Sequence, residues 1–283
     1  MITSSQNAKI KLVRALMGRA KERREAGMFV VEGVRLVEEA ANRDWRFEIV
    51  LFDKSLSERG KSQVSSLKSK GVEVEEISTD LMKSLSETET PQGILAILQF
   101  SQLPITDYLN FVLIPDQIRD PGNLGTLLRS AAATGVQAVL LPPETTDAFA
   151  PKVVRAGMGA HFRVPIREMG WEEIRELLSA SHLTQQKKTH LSSATHPLQI
   201  YLADMDGKSC WETDLRKPLA LIVGGEAEGA SEQARKLANE RISIPMAGNV
   251  ESLNAGVAGS VLMFEVVRQR SNPSTSSRQA FER

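Results

Sequence analysis

The sequence predicts an α/β protein in two parts. A small N-terminal α/β domain precedes a larger domain with a mostly parallel sheet covered by helices on both faces. Three observations lead there. Across residues 110–270, short apolar runs such as "FVLIP", "QAVLLP" and "LALIVGG" alternate with helical periodicity, the pattern of strand–helix–strand crossovers. Residues 1–100 carry a shorter, more charged version of the same alternation. Between them "SQLPITDYLN", with Pro104 among polar neighbours, reads as a linker over 101–109.

In the first part, residues 1–26 read as helical, with Ile10, Val13, Leu16 and Met17 near a 3.6 period, and Gly27 stops that helix. "MFVVEG" follows as a strand, "VRLVEEAANR" as a helix, "FEIVLF" as a strand and "KSQVSSLKSKG" as an exposed helix. "VEVEEIS" alternates like a strand, and "GILAILQF" is a buried one. In the second part "FVLIP" leads to a helix over about 122–134, then "QAVLLP", a helix over about 148–157, and the strand "FRVPI". The helix "WEEIRELLSA", the strands "QIYLADM" and "LALIVGG", the helix "SEQARKLANE", the strand "RISIP" and a last helix complete it. Residues 271–283 are polar and unpatterned, the composition of a disordered tail.

Composition narrows the class. Of 283 residues, 41% are apolar and 25% charged, as in globular proteins, and no apolar run is long enough to span a membrane. The first residues lack the apolar core of a secretory signal, and the lone Cys210 fits a reducing cytoplasm. His161, His182, His190 and His196 are scattered, so no metal site is expected. Lys plus Arg equals Asp plus Glu, 35 each, yet Lys9, Lys11, Arg14, Arg23 and Arg24 crowd one segment. That segment is either an RNA footprint or a solvated helix face.

Three strand-end loops carry chemistry-bearing residues. In "DQIRDPGNLGTLLRSAAATG", Asp120 or Asn123 can cap a helix, and Pro121 suits its first turn. Leu124, Leu127, Leu128 and Ala131 form its buried stripe, and Arg129 lies beside the stripe, either exposed or reaching into a crevice. In "LALIVGGEAEGAS" a buried strand runs into Gly224, Gly225, Glu226 and Gly229, with Ser231 placed to cap the next helix. Ligands of open α/β sheets bind beyond such carboxyl ends, although neither the dinucleotide nor the Walker glycine pattern is present. In "PMAGNVESLNAGVAGSVLMFEVVRQR", Ser252 is placed to cap the last helix. That helix begins with small residues at 255, 256, 258, 259 and 260, where another backbone, a ligand or a partner must come close.

Together the motifs N-x5-R-S-A, G-G-E-x-x-G and I-P-M-x-G-x-x-x-S-L-N resemble the SpoU (TrmH-type) RNA ribose methyltransferases of the SPOUT superfamily. The match runs from 111 to 270, with "PKVVRAGMGAHFRVPI" also similar, and Gly256 and Gly259 standing where alanine, serine or valine is commoner. "FVVEGVRLVEEA" resembles the L30e-like substrate-binding domain of rRNA-type members. The resemblance implies a deep trefoil knot, an obligate homodimer packed partly through the last helix, and S-adenosylmethionine as methyl donor. It implies cofactor contacts at Gly224, Gly225, Gly229, Ile244, Met246 and Leu253. Catalytic work falls to Asn123, Arg129, Glu226, Ser252 and Asn254, with Arg129 as base or as electrostatic stabiliser. The implied acceptor is a ribose 2′-hydroxyl in large-subunit ribosomal RNA. A tRNA acceptor and a non-catalytic assembly factor are the alternatives.

Overall fold

A computed structural model describes the chain except residues 102, 189–197, 227–228, 249–251 and 272–283; for 181–188 it describes the backbone alone. By internal packing the chain forms two units. One is Met1–Gln102 with Asp147–Arg163, and the other is Leu103–Thr146 with Val164–Arg283.

The first unit contains α1 (Ala8–Gly18), α2 (Ala20–Ala26), β1 (Met28–Glu32), α3 (Val34–Asn42), β2 (Phe47–Phe52), α4 (Glu58–Ser69), β3 (Val74–Glu76), α5 (Thr79–Leu85) and β4 (Ile94–Gln99). Its sheet runs β1-β4-β2-β3, antiparallel except between β2 and β3. The two-residue period of β4 shows why the sheet is covered on both faces. Ile94, Ala96 and Leu98 join one core with Val37, Val64 and Leu67, while Leu95 and Ile97 join another with Ile10, Val13 and Leu81.

The expected single N-terminal helix is two. Arg19 is extended between α1 and α2, while Gly27 takes the left-handed conformation that ends the second. The helix Thr79–Leu85 was not anticipated; Ser78 caps it through the Leu81 N–H.

Residues 147–163, read from sequence as part of the larger domain, belong to the first unit. They form helical turns whose Val154 and Phe162 enter its core, with Phe149 against Phe29 at 5.0 Å and Phe162 against Trp45 at 5.1 Å. Arg23 was expected on an RNA surface, and this is corrected: it is 3% exposed and donates to Asp147 at 2.7 Å and to the Leu16 carbonyl at 2.6 Å. Removing one partner of a buried pair costs about 3–5 kcal/mol, so Arg23 belongs to folding. Lys9 likewise points to its own acids, Glu73 at 2.6 Å and Glu75 at 2.8 Å. Lys11, Arg14 and Arg24 remain exposed.

The second unit holds β5 (Phe111–Asp116), α6 (Pro121–Thr134) and β6 (Ala138–Leu141). The helix α7 (Pro151–Gly157) and a 3-10 turn (Ala160–Phe162) make the excursion into the first unit. The strand expected at "FRVPI" is therefore replaced by that turn and by β7 (Ile166–Glu168). After β7 come α8 (Trp171–Lys188), β8 (Gln199–Ser209), β9 (Leu219–Gly224), α9 (Glu232–Leu237), β10 (Glu240–Ser243) and α10 (Ala255–Ser271). Residues 272–283, the expected tail, lie outside the described residues.

The sheet order is β10-β8-β9-β5-β6-β7, and every adjacent pair is parallel. β5 is followed in sequence by a crossover to β6 on one side, but its other neighbour is β9. Adjacent strands whose connections depart in opposite directions leave a crevice at their carboxyl ends. The register places Asp116 beside Gly224 at the mouth of that crevice.

The small residues of α10 have a direct explanation. Gly256 lies against the Cα of Asn123 and the Cβ of Thr126, and a Cβ on Gly259 would collide with Leu127. Ser130 and Ser260 share a hydrogen bond of 2.7 Å across the same seam. Only with side chains this small can α10 lie close along α6. The far end of α10 is clipped in place by Gln269, which donates to the Cys210 and Thr213 carbonyls and accepts from the Leu215 N–H.

Candidate active site

Three loops meet at the mouth of the β5/β9 crevice. The first leaves β5 through Gln117, a non-glycine residue with φ of 54°, and reaches Asp120, whose carboxylate accepts from the Asn123 N–H at 2.8 Å. With Pro121 at the first helical position, this cap fixes where α6 begins and so where Asn123 stands. The second leaves β9 at Gly224 and returns to Ser231. A Cβ on Gly224 would meet the Ala230 nitrogen at 2.7 Å, and one on Gly225 would collide with the Gln117 carbonyl oxygen. These two glycines are required by backbone packed on backbone. The third runs from β10 through Ile244 and Met246 to Leu253 and into α10.

At their junction Glu226 Oε1 accepts from Asn123 Nδ2 at 2.6 Å, from Asn254 Nδ2 at 2.7 Å and from the Ala255 N–H at 3.3 Å. Asn254 Nδ2 also reaches Asn123 Oδ1 at 2.8 Å. Residues more than a hundred positions apart thus lock one carboxylate. Ser252 was expected to cap α10, and this too is corrected. Asn254 does so, its side chain accepting from the Val257 N–H at 3.1 Å. Asn254 therefore ties the start of the last helix to the orientation of Glu226.

Below the cluster, Asp116 is fully buried. One of its carboxylate oxygens accepts from the Ser231 N–H at 2.6 Å, and the other has no partner among the described residues. Burial raises its pKa above the usual carboxylate value, against the lowering effect of the Ser231 hydrogen bonds. Asp116 thus touches both ends of the 224–231 loop, Gly224 through strand pairing and Ser231 through its carboxylate.

Two cavities flank the loop. The larger, about 330 Å³, is lined by all six residues predicted to hold a cofactor: Gly224, Gly225, Gly229, Ile244, Met246 and Leu253. Glu226 and Ser252 also line it, as do Val223, Ile242, Ala258 and Leu262. The smaller, about 220 Å³, is lined by Gln117, Ile118, Arg119, Asp120 and Asn123. Gly225, Glu226, Gly229 and Ala255 face both.

The larger cavity fits an adenosyl sulfonium. Aliphatic side chains and glycine backbone suit a flat base, and the Glu226 carboxylate at its edge suits a cation. Arg129 stands apart from both linings. It is exposed on α6, and no hydrogen bond or ion pair to it is seen among the described residues. It follows Asn123 by six residues, which is about 9 Å along the helix and well round its circumference. Gln117, Arg119 and Asp116 were not singled out from sequence. The left-handed turn that brings in the first two has no strong signal in "DQIRD".

Residues 110–264 match the family model described as the SpoU rRNA Methylase family, and residues 7–96 match the one described as the MRM3-like substrate binding domain. The chain is 31% identical over 265 residues to 23S rRNA (guanosine(2553)-2'-O)-methyltransferase RlmP of Bacillus subtilis, covering 94% of this chain and 98% of that one. It is 32% identical over 300 residues to rRNA methyltransferase 3, mitochondrial, of Mus musculus, covering 87% and 69% respectively. The crystal structure of the SpoU methyltransferase AviRb from Streptomyces viridochromogenes in complex with AdoMet superposes with a TM-score of 0.78. That pair is 29% identical, with 93% of this chain and 99% of that chain covered. The matched span runs from β5 into α10 with every loop of the cluster, and the chain belongs to the SpoU rRNA methylase family.

Proposed function

We propose that the protein transfers a methyl group from S-adenosylmethionine to a ribose 2′-hydroxyl of large-subunit ribosomal RNA. The observation that carries the reading is the Asn123–Glu226–Asn254 cluster at the rim of a cavity lined by glycine backbone and aliphatic side chains together with Asp204 and Arg235. The relatives named for 23S and mitochondrial rRNA methylation support the choice of acceptor.

When bound, S-adenosylmethionine supplies an electron-poor methyl on a sulfonium, a good leaving group. The protein's own work is then alignment and charge. Glu226, immobilised by three N–H donors, presents a carboxylate that cannot swing away from a cation beside it. Such preorganisation is what makes alignment worth several kcal/mol. The six glycine and aliphatic residues of the larger cavity hold the adenosyl part, and Ser252 serves at its polar edge. Arg129 holds the target strand and stabilises the developing alkoxide. The role assigned to it is electrostatic, and the proton of the 2′-hydroxyl leaves to water.

The assignment of domains follows. Residues 1–100 bind the RNA, with Lys11, Arg14 and Arg24 exposed to its phosphates, and 110–270 perform the transfer in the cytoplasm. The C-terminal domain carries the deep trefoil knot that wraps the donor. The unit of function is a homodimer. Val257, Val261 and Phe264 are 47%, 40% and 52% exposed, and their i, i+4, i+7 spacing makes an apolar stripe on α10. Phe264→Asp is expected to leave the fold intact and give a monomer by light scattering; a dimer of unchanged mass would exclude this face.

The test of the reading is transfer of labelled methyl from S-adenosylmethionine to unmethylated large-subunit rRNA, with the site mapped by primer extension. Label appearing as a single ribose methylation is the expected result. Label in tRNA alone would replace the acceptor, and no label in either RNA would end the reading.

A further inference from the structure

The N-terminal unit has a pocket of its own, about 350 Å³, at one edge of its sheet. β1 and β2 both run antiparallel to β4, so their carboxyl ends lie beside its start. Three loops converge there: 33–35 after β1, 53–57 after β2 and 86–93 before β4. They are fitted to one another. Gly93 is left-handed at φ 74°, and a Cβ on it would meet Asp53 Oδ1 at 2.7 Å and the Leu56 nitrogen at 2.9 Å. Glu32 Oε1 accepts from Thr88 Oγ1 at 2.8 Å and from Ser86 Oγ, which holds the third loop to the end of β1.

The lining is Val34, Arg35, Ser55, Ser57, Arg59 and Gln92, with no carboxylate among them. Gln92 Oε1 accepts from the Val34 N–H at 3.0 Å, which leaves its Nε2 to donate. Ser57 Oγ accepts from the Gly60 N–H at 3.3 Å, so the hydroxyl hydrogen is left to donate as well. Arg59 pairs with Glu38, outside the lining, whereas Arg35 has no hydrogen bond or ion pair among the described residues. Asp53, the acid of the second loop, is buried and already accepts from the Ser55 N–H at 2.9 Å and the Ser55 hydroxyl at 2.6 Å.

We infer that this pocket binds a phosphodiester of the acceptor RNA, gripped by Arg35 and Arg59 and completed by the Ser57 hydroxyl and the Gln92 amide. The inference rests on RNA as the acceptor, and not on which RNA. Phosphate oxygens only accept hydrogen bonds, and a guanidinium meets two of them in parallel. Walls that offer two guanidinium groups and no carboxylate favour an anion and oppose a cation. No aromatic side chain lines the pocket, so a base has no ring to stack on, and the contact reads backbone and not sequence. The site is also separate from the basic segment at the N-terminus. α3 and α4, which carry the two arginines, pack on one face of the sheet through Val37, Val64 and Leu67, and α1 packs on the other through Ile10, Val13 and Leu16.

The experiment is binding of the full chain to two transcripts of equal length over a series of salt concentrations. One is an unmethylated large-subunit rRNA sequence, and the other is a scrambled version of it. Arg35→Gln is expected to weaken both by about tenfold, the size of one hydrogen bond to a charged group. It is also expected to reduce the slope of log affinity against log salt by about 1, the mark of one lost phosphate contact. Arg35→Lys keeps the charge, so it is expected to hold the parent's salt slope while binding both transcripts more weakly than the parent. Arg35 is exposed, and the variants are expected to melt like the parent protein. A loss for the rRNA sequence alone would make Arg35 a reader of bases and overturn the assignment, as would unchanged affinity and slope for both transcripts. Inorganic phosphate, titrated by calorimetry, tests the other source of the same chemistry. Phosphate binding abolished by Arg35→Gln, with RNA affinity unaltered, would make this a small-anion site instead. If the parent methylates rRNA while Arg35→Gln binds RNA as the parent does, this site fails and the proposed function stands. If the parent binds neither transcript, the acceptor reading falls and takes this inference with it.

Discussion

Arg129→Ala is expected to lower single-turnover methyl transfer by about a hundredfold to a thousandfold and to leave the affinity for S-adenosylmethionine at its original value. The magnitude is that of removing one preorganised electrostatic contact to a developing oxyanion. The separation of the two effects comes from the structure. Arg129 lies on α6 outside the lining of both cavities, so its loss withdraws nothing from the donor. Nor should its removal unfold the protein, since the side chain is exposed and the buried stripe of α6 is made by Leu124, Leu127, Leu128 and Ala131. Arg129→Lys refines the result. A point charge restores part of the rate if field strength is what matters, and little if a fork must grip a phosphate. Measured together, the transfer rate and the calorimetric affinity decide. Near-normal turnover of the alanine variant would take Arg129 out of the chemistry, and a matching fall in donor affinity would move it into the donor site.

The same helix shows what a sequence can disclose. Its stripe follows from local spacing, and of the two caps the sequence allowed, Asp120 and Asn123, the structure uses Asp120. β2 begins and ends where "FEIVLF" does, and Ser231 caps α9 through the Ala234 N–H. Six cofactor candidates named from motif resemblance line one cavity because β9 and β10 both end there. What local reading missed has a common cause. Lys9 finds Glu73 and Glu75 more than sixty residues away, and Arg23 finds Asp147 more than a hundred away. No composition of the 9–24 segment contains those partners, so a cluster of cations looked available although Lys9 and Arg23 are tied to acids elsewhere in the chain. The 147–163 excursion is of the same kind: its helix is locally ordinary, and only the aromatic contacts of Phe149 and Phe162 place it in the first unit. Ser252 and Asn254 are both good caps by type. The choice fell to Asn254 because its amide also reaches Glu226.

Gly225→Ala is expected to weaken S-adenosylmethionine binding by about tenfold to a hundredfold, the equivalent of the roughly 1–3 kcal/mol that overpacking costs at a rigid contact. The comparison with Gly259→Ala explains why. At Gly259 the added methyl meets only side-chain ends, those of Leu127 and Val223, which can give way at a packing cost that the alanine's helix propensity, about 1 kcal/mol, partly offsets. At Gly225 it meets the Gln117 carbonyl oxygen, which belongs to backbone and has no rotamer to change. Gln117 is already left-handed, so its peptide cannot turn further without disturbing the Asp120 cap three residues on. The strain is relieved only by parting the 117–120 and 224–231 loops, and the shared wall of the two cavities is built from those loops. Donor affinity should therefore fall much more than the melting temperature, because the cores that fix stability lie beneath the sheet and not at its mouth. Calorimetry and thermal melting of the two variants side by side make the comparison. If Gly225→Ala bound the donor as well as Gly259→Ala does, the backbone contact at Gln117 would not be what shapes the site.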